Sequence, residues 1–330
     1  MTEMPFEADP RAIWRTQMWG SPLQLDEVPT NDRLQFSGRK SRGRRLLAER
    51  AEALADSQEL LWAHHAAAAP DARAEVMDTI TARVPSAEHA DRARHDELLD
   101  VVIEDLDALE RGPRVLLVLQ GMDASGKGGM VKHVVGSMDP LGVSVAAFRR
   151  PTADERSEHH LHRVIRRLPG PGEVGVFDRS HYEDVLVPAV AGSADSEELA
   201  RRTETLRLFE QELVRRGFVL VKVFLHLSEQ EQLERLLSRL DRRDKQWKYD
   251  PSDADARADF GLYRTVYSGL LEATDVDSAP WHVVGADRKW YARLVVQELL
   301  IAALDDLDLS WPQPGYDLPA ERARLLASGD

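Results

Sequence analysis

Two short stretches hold the residues best suited to chemistry. In VLLVLQGMDASGKGGMVKHVV (115–135), Gly121, Gly126 and Lys127 keep the spacing G-x-x-x-x-G-K of a nucleotide-binding loop. Glycines let backbone amides turn inward around phosphate oxygens. The positive end of the following helix and the Lys127 ammonium then add charge. The cradle would comprise Gly121, Ala124, Ser125, Gly126 and Gly128. Gly128 stands where a serine or threonine hydroxyl usually touches the metal. A hard cation still needs oxygen ligands. Asp123, inside the loop, and Asp178, at the end of VGVFD (174–178), are the candidates to hold Mg²⁺, or Mn²⁺ in its stead, with bridging phosphate oxygens. Arg179 follows directly and could clamp a transferring phosphoryl group bidentately. The plainer alternatives are a flexible strand–helix turn for the loop and a turn cap for Asp178.

His181 and Glu183, next in FDRSHYEDV, could pair as acid and base. Transfer between phosphates needs no strong base, so a scaffold role is expected of them. A third stretch, SEQEQLERLLSRLDRRDKQWKYDPSD (228–253), has an apolar face through Leu233, Leu236, Leu237 and Leu240 and then turns basic. A helix–basic–helix segment after the fourth strand can close over phosphates and expel water.

The surrounding pattern supplies the scaffold. From Arg114 onward, β-branched apolar runs alternate with helical segments. Strands are expected at 114–120, 143–148, 174–178, 218–225 and 281–285, and helices near 127–138, 153–167, 196–216, 229–240, 254–272 and 288–306. Thr152 with Glu155 and Ser228 with Glu231 read as capping boxes, and Gly217 as a helix stop. Continuous apolar strands between helices predict a parallel sheet covered on both faces, an α/β fold with its ligands beyond the strands' carboxyl ends. Before Arg114, residues 1–45 read as an extended arm, 44–64 as a helix and 71–111 as one or two acidic, alanine-rich helices.

The chain has 330 residues, 43% of them hydrophobic and 30% charged, ordinary for a globular protein. No run reaches the ~18 apolar residues of a membrane helix, and the acidic start is no secretory signal. Without cysteine there are no disulfides or thiolate sites, which fits a cytoplasmic location. The net charge of −14 argues against a nucleic-acid partner. Basic clusters at 38–45, 148–151, 162–167 and 241–248 still leave room for an anionic substrate, since screening makes the local field matter most.

Taken together, GMDASGKGG, FDRSHYEDVL, SRLDRRDKQWKYDPSD and APWHVVGADRKWYAR resemble the polyphosphate kinase 2 family over about residues 113–312. RSHYEDV and DRKWYAR resemble its class III subgroup, whose members accept nucleoside mono- and diphosphates. The resemblance implies a P-loop kinase three-layer α/β/α sandwich with a parallel five-stranded sheet and a helical lid at about 229–265. It also implies an arm and helices at 1–112, with an insertion at about 65–111, and a tail at 313–330. By the same resemblance Asp123 and Asp178 hold the metal and the phosphates, and Lys127 and Arg179 contact the transferring group. Lys132, Arg239, Lys245 and Lys248 face a polyphosphate path, strengthened by Arg242 and Arg243. Three departures stand out. Relatives carry H-D-F-L-W-R where this chain has Glu158-His159-His160-Leu161-His162-Arg163, which bears on nucleobase contacts or on local packing. Many class III relatives have asparagine at Asp178. Some have Asp-Pro at Arg242-Arg243.

The expected activity is phosphoryl transfer between inorganic polyphosphate and purine nucleotides, by a homo-oligomer (dimer or tetramer) with no nucleic-acid or membrane partner. The rivals are an ATP-dependent nucleoside or nucleotide kinase and a non-catalytic nucleotide-binding protein.

Overall fold

Five apolar runs become the strands of one parallel sheet. They are β1 (Arg114–Gln120), β2 (Val143–Ala147), β3 (Val174–Asp178), β4 (Phe218–His226) and β5 (Trp281–Gly285) in the order β2-β3-β1-β4-β5. The computed structural model describes residues 4–84 and 89–328. Every residue of β1, β4 and β5 is buried, as expected for strands covered on both faces. The edge strand β2 is half-exposed.

The helices preceding the sheet are α1 (Pro10–Ile13), α2 (Lys40–Ala67), α3 (Pro70–Thr81) and α4 (His89–Asp107). Within the sheet region come α5 (Lys127–His133), α6 (Ala153–Ser157), α7 (His162–Ile165), α8 (Glu183–Ala191), α9 (Ser196–Arg215), α10 (Glu229–Asp241), α11 (Ser252–Ala258), α12 (Phe260–Ala273) and α13 (Lys289–Asp305). A final helix, α14 (Leu318–Ala327), buries no residue. α13 lies across β1, β4 and β5 with α5 beside it and α2 outside it, while α9 lies against β4 with α8 and α12 packed on it. The result is a three-layer α/β/α sandwich.

Several boundaries differ from the sequence reading, each for a local reason. The helix expected at 153–167 is two. The Thr152–Glu155 capping box is complete, but the chain turns after Ser157, where His159 Nδ1 accepts the Leu161 amide at 3.3 Å. The helix expected at 254–272 breaks at Asp259. Ser228 does accept the Glu231 amide, but the reciprocal half of that box is missing, because the Glu231 carboxylate turns to Arg235 Nε at 2.8 Å. α8 is an element the sequence reading lacks. Its Pro188 and valines are poor helix formers, yet Val185 and Leu186 are buried and packing overrides propensity.

The arm is not free. Phe6, Trp14, Leu25 and Phe36 belong to the same buried cluster as the sheet. The Val283 amide donates to Trp14 O at 2.8 Å, so the arm covers the open edge of β5. α3 and α4, in the stretch read as an insertion, pack on α9. Residues 85–88 of that stretch, 329–330 of the tail and 1–3 of the arm lie outside the described residues.

Candidate active site

Register decides what meets what. Leu119 of β1 pairs with Asp178 of β3, so the glycine loop and the Asp178-Arg179 turn leave adjacent strands at the same carboxyl end. Gly121 has φ +142°, and a Cβ there would lie 2.7 Å from Leu225 O, so the chain passes too close to β4 for a side chain. Ala124 (φ +65°) and Arg179 (φ +64°) also take the left-handed conformation, at a cost of roughly 1–3 kcal/mol each. Of the four non-glycine residues with positive φ among the described residues, these two sit at the site, while Gln35 and Asp308 lie elsewhere.

Lys127 is buried at the start of α5, and its Nζ donates to Gly121 O at 2.6 Å and Met122 O at 3.3 Å. Burial pushes this ammonium below its ordinary range, while Asp123, Asp178 and Glu183 pull it back up. Arg179 Nη2 donates to Asp123 Oδ1 at 2.8 Å. Burial would lower the guanidinium, but Asp123 and Glu183 hold it above its usual value. The Ser125 hydroxyl is buried without a partner.

A Cβ on Gly128 would have a single neighbour within 4 Å, Asp178 Oδ2 at 4.0 Å. A carboxylate oxygen thus borders the space that a serine or threonine hydroxyl would reach. Among the described residues, no group of three or more His, Asp or Glu side chains converges as a closed metal cage. Two carboxylates beside an anion cradle are instead a donor set suited to a hard cation that keeps phosphate or water ligands.

Residues beneath the turn fix its shape. Gln120 Nε2 donates to Ser180 Oγ at 3.0 Å, and Tyr267 OH donates to Gln120 Oε1 at 3.2 Å. Glu183 lies 3.9 Å from Arg179, and its burial raises the carboxyl above its usual range against the pull of Arg179 and Lys127. His181 is fully buried, 3.0 Å from Glu210. Tyr182 OH donates to the same carboxylate at 2.6 Å, and Lys222 Nζ donates to its other oxygen at 2.6 Å. Burial disfavours the Glu210 anion, but Lys222 and His181 hold its carboxyl below the ordinary range.

A cleft of ≈390 Å³ opens between Ala124 of the loop and the basic segment, lined by Arg239, Arg242, Lys245 and Lys248. Arg239 reaches Asp253 at 3.0 Å, and Arg242 reaches Asp244 at 3.0 Å. Lys132 and Arg243 do not line the cleft. Lys132 is exposed on α5, and Arg243 is exposed in the basic segment.

Arg235 and Lys289 do line the cleft, and sequence reasoning missed them. Arg235 is buried and staples three segments. Its Nη1 donates to Ala124 O (2.9 Å) and Ser125 O (2.8 Å), and its Nη2 to Ala286 O (2.6 Å). The only signal was a lone arginine within the apolar stripe of α10. Gln232, one turn earlier, donates to Asp123 O at 3.1 Å.

Two histidines of the 158–163 stretch face the protein interior or a neighbouring helix. His160 Nε2 is shut off from solvent with no hydrogen bond, and burial pushes this imidazole down to about 3. His162 Nδ1 lies 2.6 Å from Asp105, tying α7 to α4.

Comparison with known proteins agrees with this geometry. The family model for polyphosphate kinase 2 matches residues 86–311. The chain is 38% identical to the AMP/ADP-polyphosphate phosphotransferase of Meiothermus ruber over 212 residues, 64% of this chain and 79% of that one. It is 35% identical to the ADP-polyphosphate phosphotransferase of Rhodopseudomonas palustris over 253 residues, 71% and 86% of the two chains. The solved structure of polyphosphate kinase 2 from Arthrobacter aurescens TC1 superposes with a TM-score of 0.81 at 38% identity, covering 99% of this chain and 100% of that one. A glycine cradle, a buried lysine and an Asp-Arg turn on adjacent parallel strands thus come with a match over most of the sequence, and the chain belongs to the polyphosphate kinase 2 family.

Proposed function

We propose that this chain moves phosphoryl groups between inorganic polyphosphate and nucleotides, converting ADP to ATP and AMP to ADP. One observation carries the reading at the level of the site. Asp123, Lys127, Asp178 and Arg179 gather around one glycine loop, with the Asp178 carboxylate beside Gly128 where a hydroxyl is missing. Residues 113–312 would carry this chemistry, with 229–265 as the segment that closes on it.

Asp123 and Asp178 would hold a divalent ion, Mg²⁺ or Mn²⁺, which when bound neutralises phosphate oxygens. The loop amides and Lys127 orient the phosphates. A terminal oxygen of the nucleotide attacks the last phosphorus of the polyphosphate in line, and the bond to the bridging oxygen behind it breaks. Arg179, paired with Asp123 in the free protein, exchanges that carboxylate for an oxygen of the transferring group. Lys127 compensates the charge gathering on the bridging oxygen. No proton need be abstracted from a phosphate oxygen already ionised, so positioning and electrostatics suffice. The lid cations lower the cost of bringing two polyanions together, most effectively once water is excluded.

The test is direct. Polyphosphate is offered with AMP, ADP, GMP and GDP in turn, without ATP, over a titration of Mg²⁺ or Mn²⁺. ADP or ATP formed from the adenine acceptors supports the reading. No product with any acceptor and either metal, alongside transfer from ATP to the same acceptors, would replace it with an ATP-dependent nucleotide kinase.

A further inference from the structure

The seam between α2 and α13 holds a feature that the catalytic loop does not explain. The two helices run parallel, and their side chains meet in rungs. At one end Ser57 donates to Asp305 at 3.2 Å. Next, Arg50 makes a bidentate ion pair with Glu298 at 2.7 and 2.8 Å. Above it, Gly43 packs on the Trp290 ring, where a Cβ would come within 2.1 Å, and this close approach fixes the upper end of the seam.

Next to Gly43, Arg44 is exposed at that end of the seam, near enough to Arg293 of α13 to disfavour its charge. Arg293 is half-buried, and a Cβ on Gly129, in the first turn of α5, would lie 3.3 Å from its Nη2. Lys289, one turn before Arg293 on the same helix face, lines the cleft beside Arg235 and Arg239. Neither Arg44, Lys289 nor Arg293 has a hydrogen bond or ion pair among the described residues. The contrast with the rest of the fold is informative. Other half-buried or buried arginines are matched, as in Arg50–Glu298, Arg163–Asp184 and Arg239–Asp253. Arg293 has no such partner, and the charges that act on it, Arg235 and Arg44, are both positive. Burial lowers the Arg293 guanidinium and Arg235 and Arg44 lower it further; burial lowers Lys289 too, with Arg235, Arg293 and Arg239 against it and Glu231 alone in its favour. Arg44 and Lys289 are exposed and Arg293 is half-buried; a half-buried guanidinium whose charged neighbours are cations is unfavourable in the free protein and becomes favourable when a polyanion lies across it.

We propose that Arg44 and Arg293, joined to the catalytic cleft by Lys289, form a further phosphate subsite beside Gly129 that holds phosphates of the polyphosphate chain beyond those seated in the cleft. A long chain reaches this subsite and a tripolyphosphate does not, so the subsite sets the preference for chain length. The inference rests on the polyphosphate reading above. It deepens that reading by assigning a function to the basic cluster at 38–45 and to the start of α13.

Kinetics with ADP and either long-chain polyphosphate or tripolyphosphate test it, using the full-length chain, Arg44→Gln/Arg293→Gln and Arg293→Glu. The double variant should lower kcat/KM for long-chain polyphosphate by about five- to twenty-fold, chiefly through KM, and that for tripolyphosphate by less than about two-fold. The effect should shrink as salt rises. In equilibrium binding of long-chain polyphosphate, the dependence of log K on log salt should become shallower by about one to two in slope. Arg293→Glu can pair with Arg44, so it should raise the Tm while abolishing the long-chain preference. Equal losses with both donors, or no loss with either, would overturn the subsite, as would a lower Tm for Arg293→Glu. If the parent transfers phosphate from neither donor, the function proposed above fails. The binding experiment then still decides whether the ridge takes a polyanion, because an unchanged salt slope in the double variant would refute it.

Discussion

Replacing Asp123 by asparagine separates a catalytic carboxylate from a structural one. In the free protein Asp123 makes one ion pair, with Arg179 at 2.8 Å, and the two side chains are 32% and 41% exposed. Ion pairs this open to water contribute about 0.2–1 kcal/mol. Asparagine keeps the volume and one acceptor oxygen, so the stability loss should stay below about 1 kcal/mol. For a chain of this size that is a Tm shift of no more than about 2–4 °C. The functional loss should be far larger. A charged ligand aimed at the reacting phosphates inside a water-excluding site is worth about 10²–10³ in rate, or about 2.7–4 kcal/mol. Thermal unfolding and ATP formation from ADP and polyphosphate, measured over a Mg²⁺ titration, read both quantities on one preparation. The expected result is a nearly fixed Tm, a kcat about 100-fold lower and a higher Mg²⁺ concentration at half-saturation. Activity within about three-fold of the parent at ordinary Mg²⁺ would refute the role of Asp123 at the metal. A Tm lower by about 10 °C or more would show that the carboxylate holds the loop together instead.

Three further changes follow from other parts of the site. Gly128→Ser places its Cβ in open space beside Asp178 Oδ2, so Tm should hold or rise by about 1–2 °C and activity should stay within about three-fold; a loss beyond ten-fold would mean that the space over Gly128 belongs to a ligand. Arg235→Gln strands the carbonyls of Ala124, Ser125 and Ala286, and buried unpaired groups cost about 1–3 kcal/mol each, so Tm should fall by roughly 5–10 °C and the nucleotide KM should rise; unchanged values for both would leave Arg235 without its stapling role. His160→Phe removes an imidazole held near 3, well below its free value of 6.5, so its neutral form stabilises the fold above pH 6.5 and that contribution is lost as pH falls toward 3. The variant should therefore gain Tm over the parent increasingly as pH drops below 6.5, and a gain that shrinks on acidification would reverse the assignment.

How much of this was legible beforehand depended on whether the signal was local. β1, β3 and β5 end where their apolar runs end, and Asp178 and Arg179 stood out because an acid and a base closed such a run. The register that sets Asp178 beside the loop is also a consequence of adjacent parallel strands, so the constellation could be anticipated. Contacts between distant segments could not. Arg235 looked like an interruption of an apolar stripe until α10 was packed against two loops. The arm's polar, aperiodic sequence gave no sign that Trp14 and Phe36 would pack with Tyr291. α8 was hidden by its own composition. The nearness of Arg44 to Arg293 needed two helices aligned in parallel, and the neutralised Arg50–Glu298 pair below sets off Arg293, which has no partner among the described residues.

The two positive-φ residues at the site indicate how it divides its labour. Ala124 and Arg179 keep a costly backbone conformation only because the structure beneath them over-determines it. Under Ala124 lies the Arg235 staple. Under Arg179 lie Ser180, held by Gln120, and the His181-Tyr182 pair locked onto Glu210 and Lys222 in a region fully closed to water. A buried network of that kind costs desolvation and contributes little net stability, but it admits very few arrangements. On the other wall of the cleft the charged groups are arranged differently. Among the described residues, Arg242 and Lys245 pair only with exposed Asp244, in contacts that solvent screens and a phosphate can displace. In the function proposed above, the rigid charges would face the phosphorus where bonds change, and the exchangeable charges the rest of the polyanion. This division requires mutations in the buried network to act on kcat and mutations in the basic segment to act on KM.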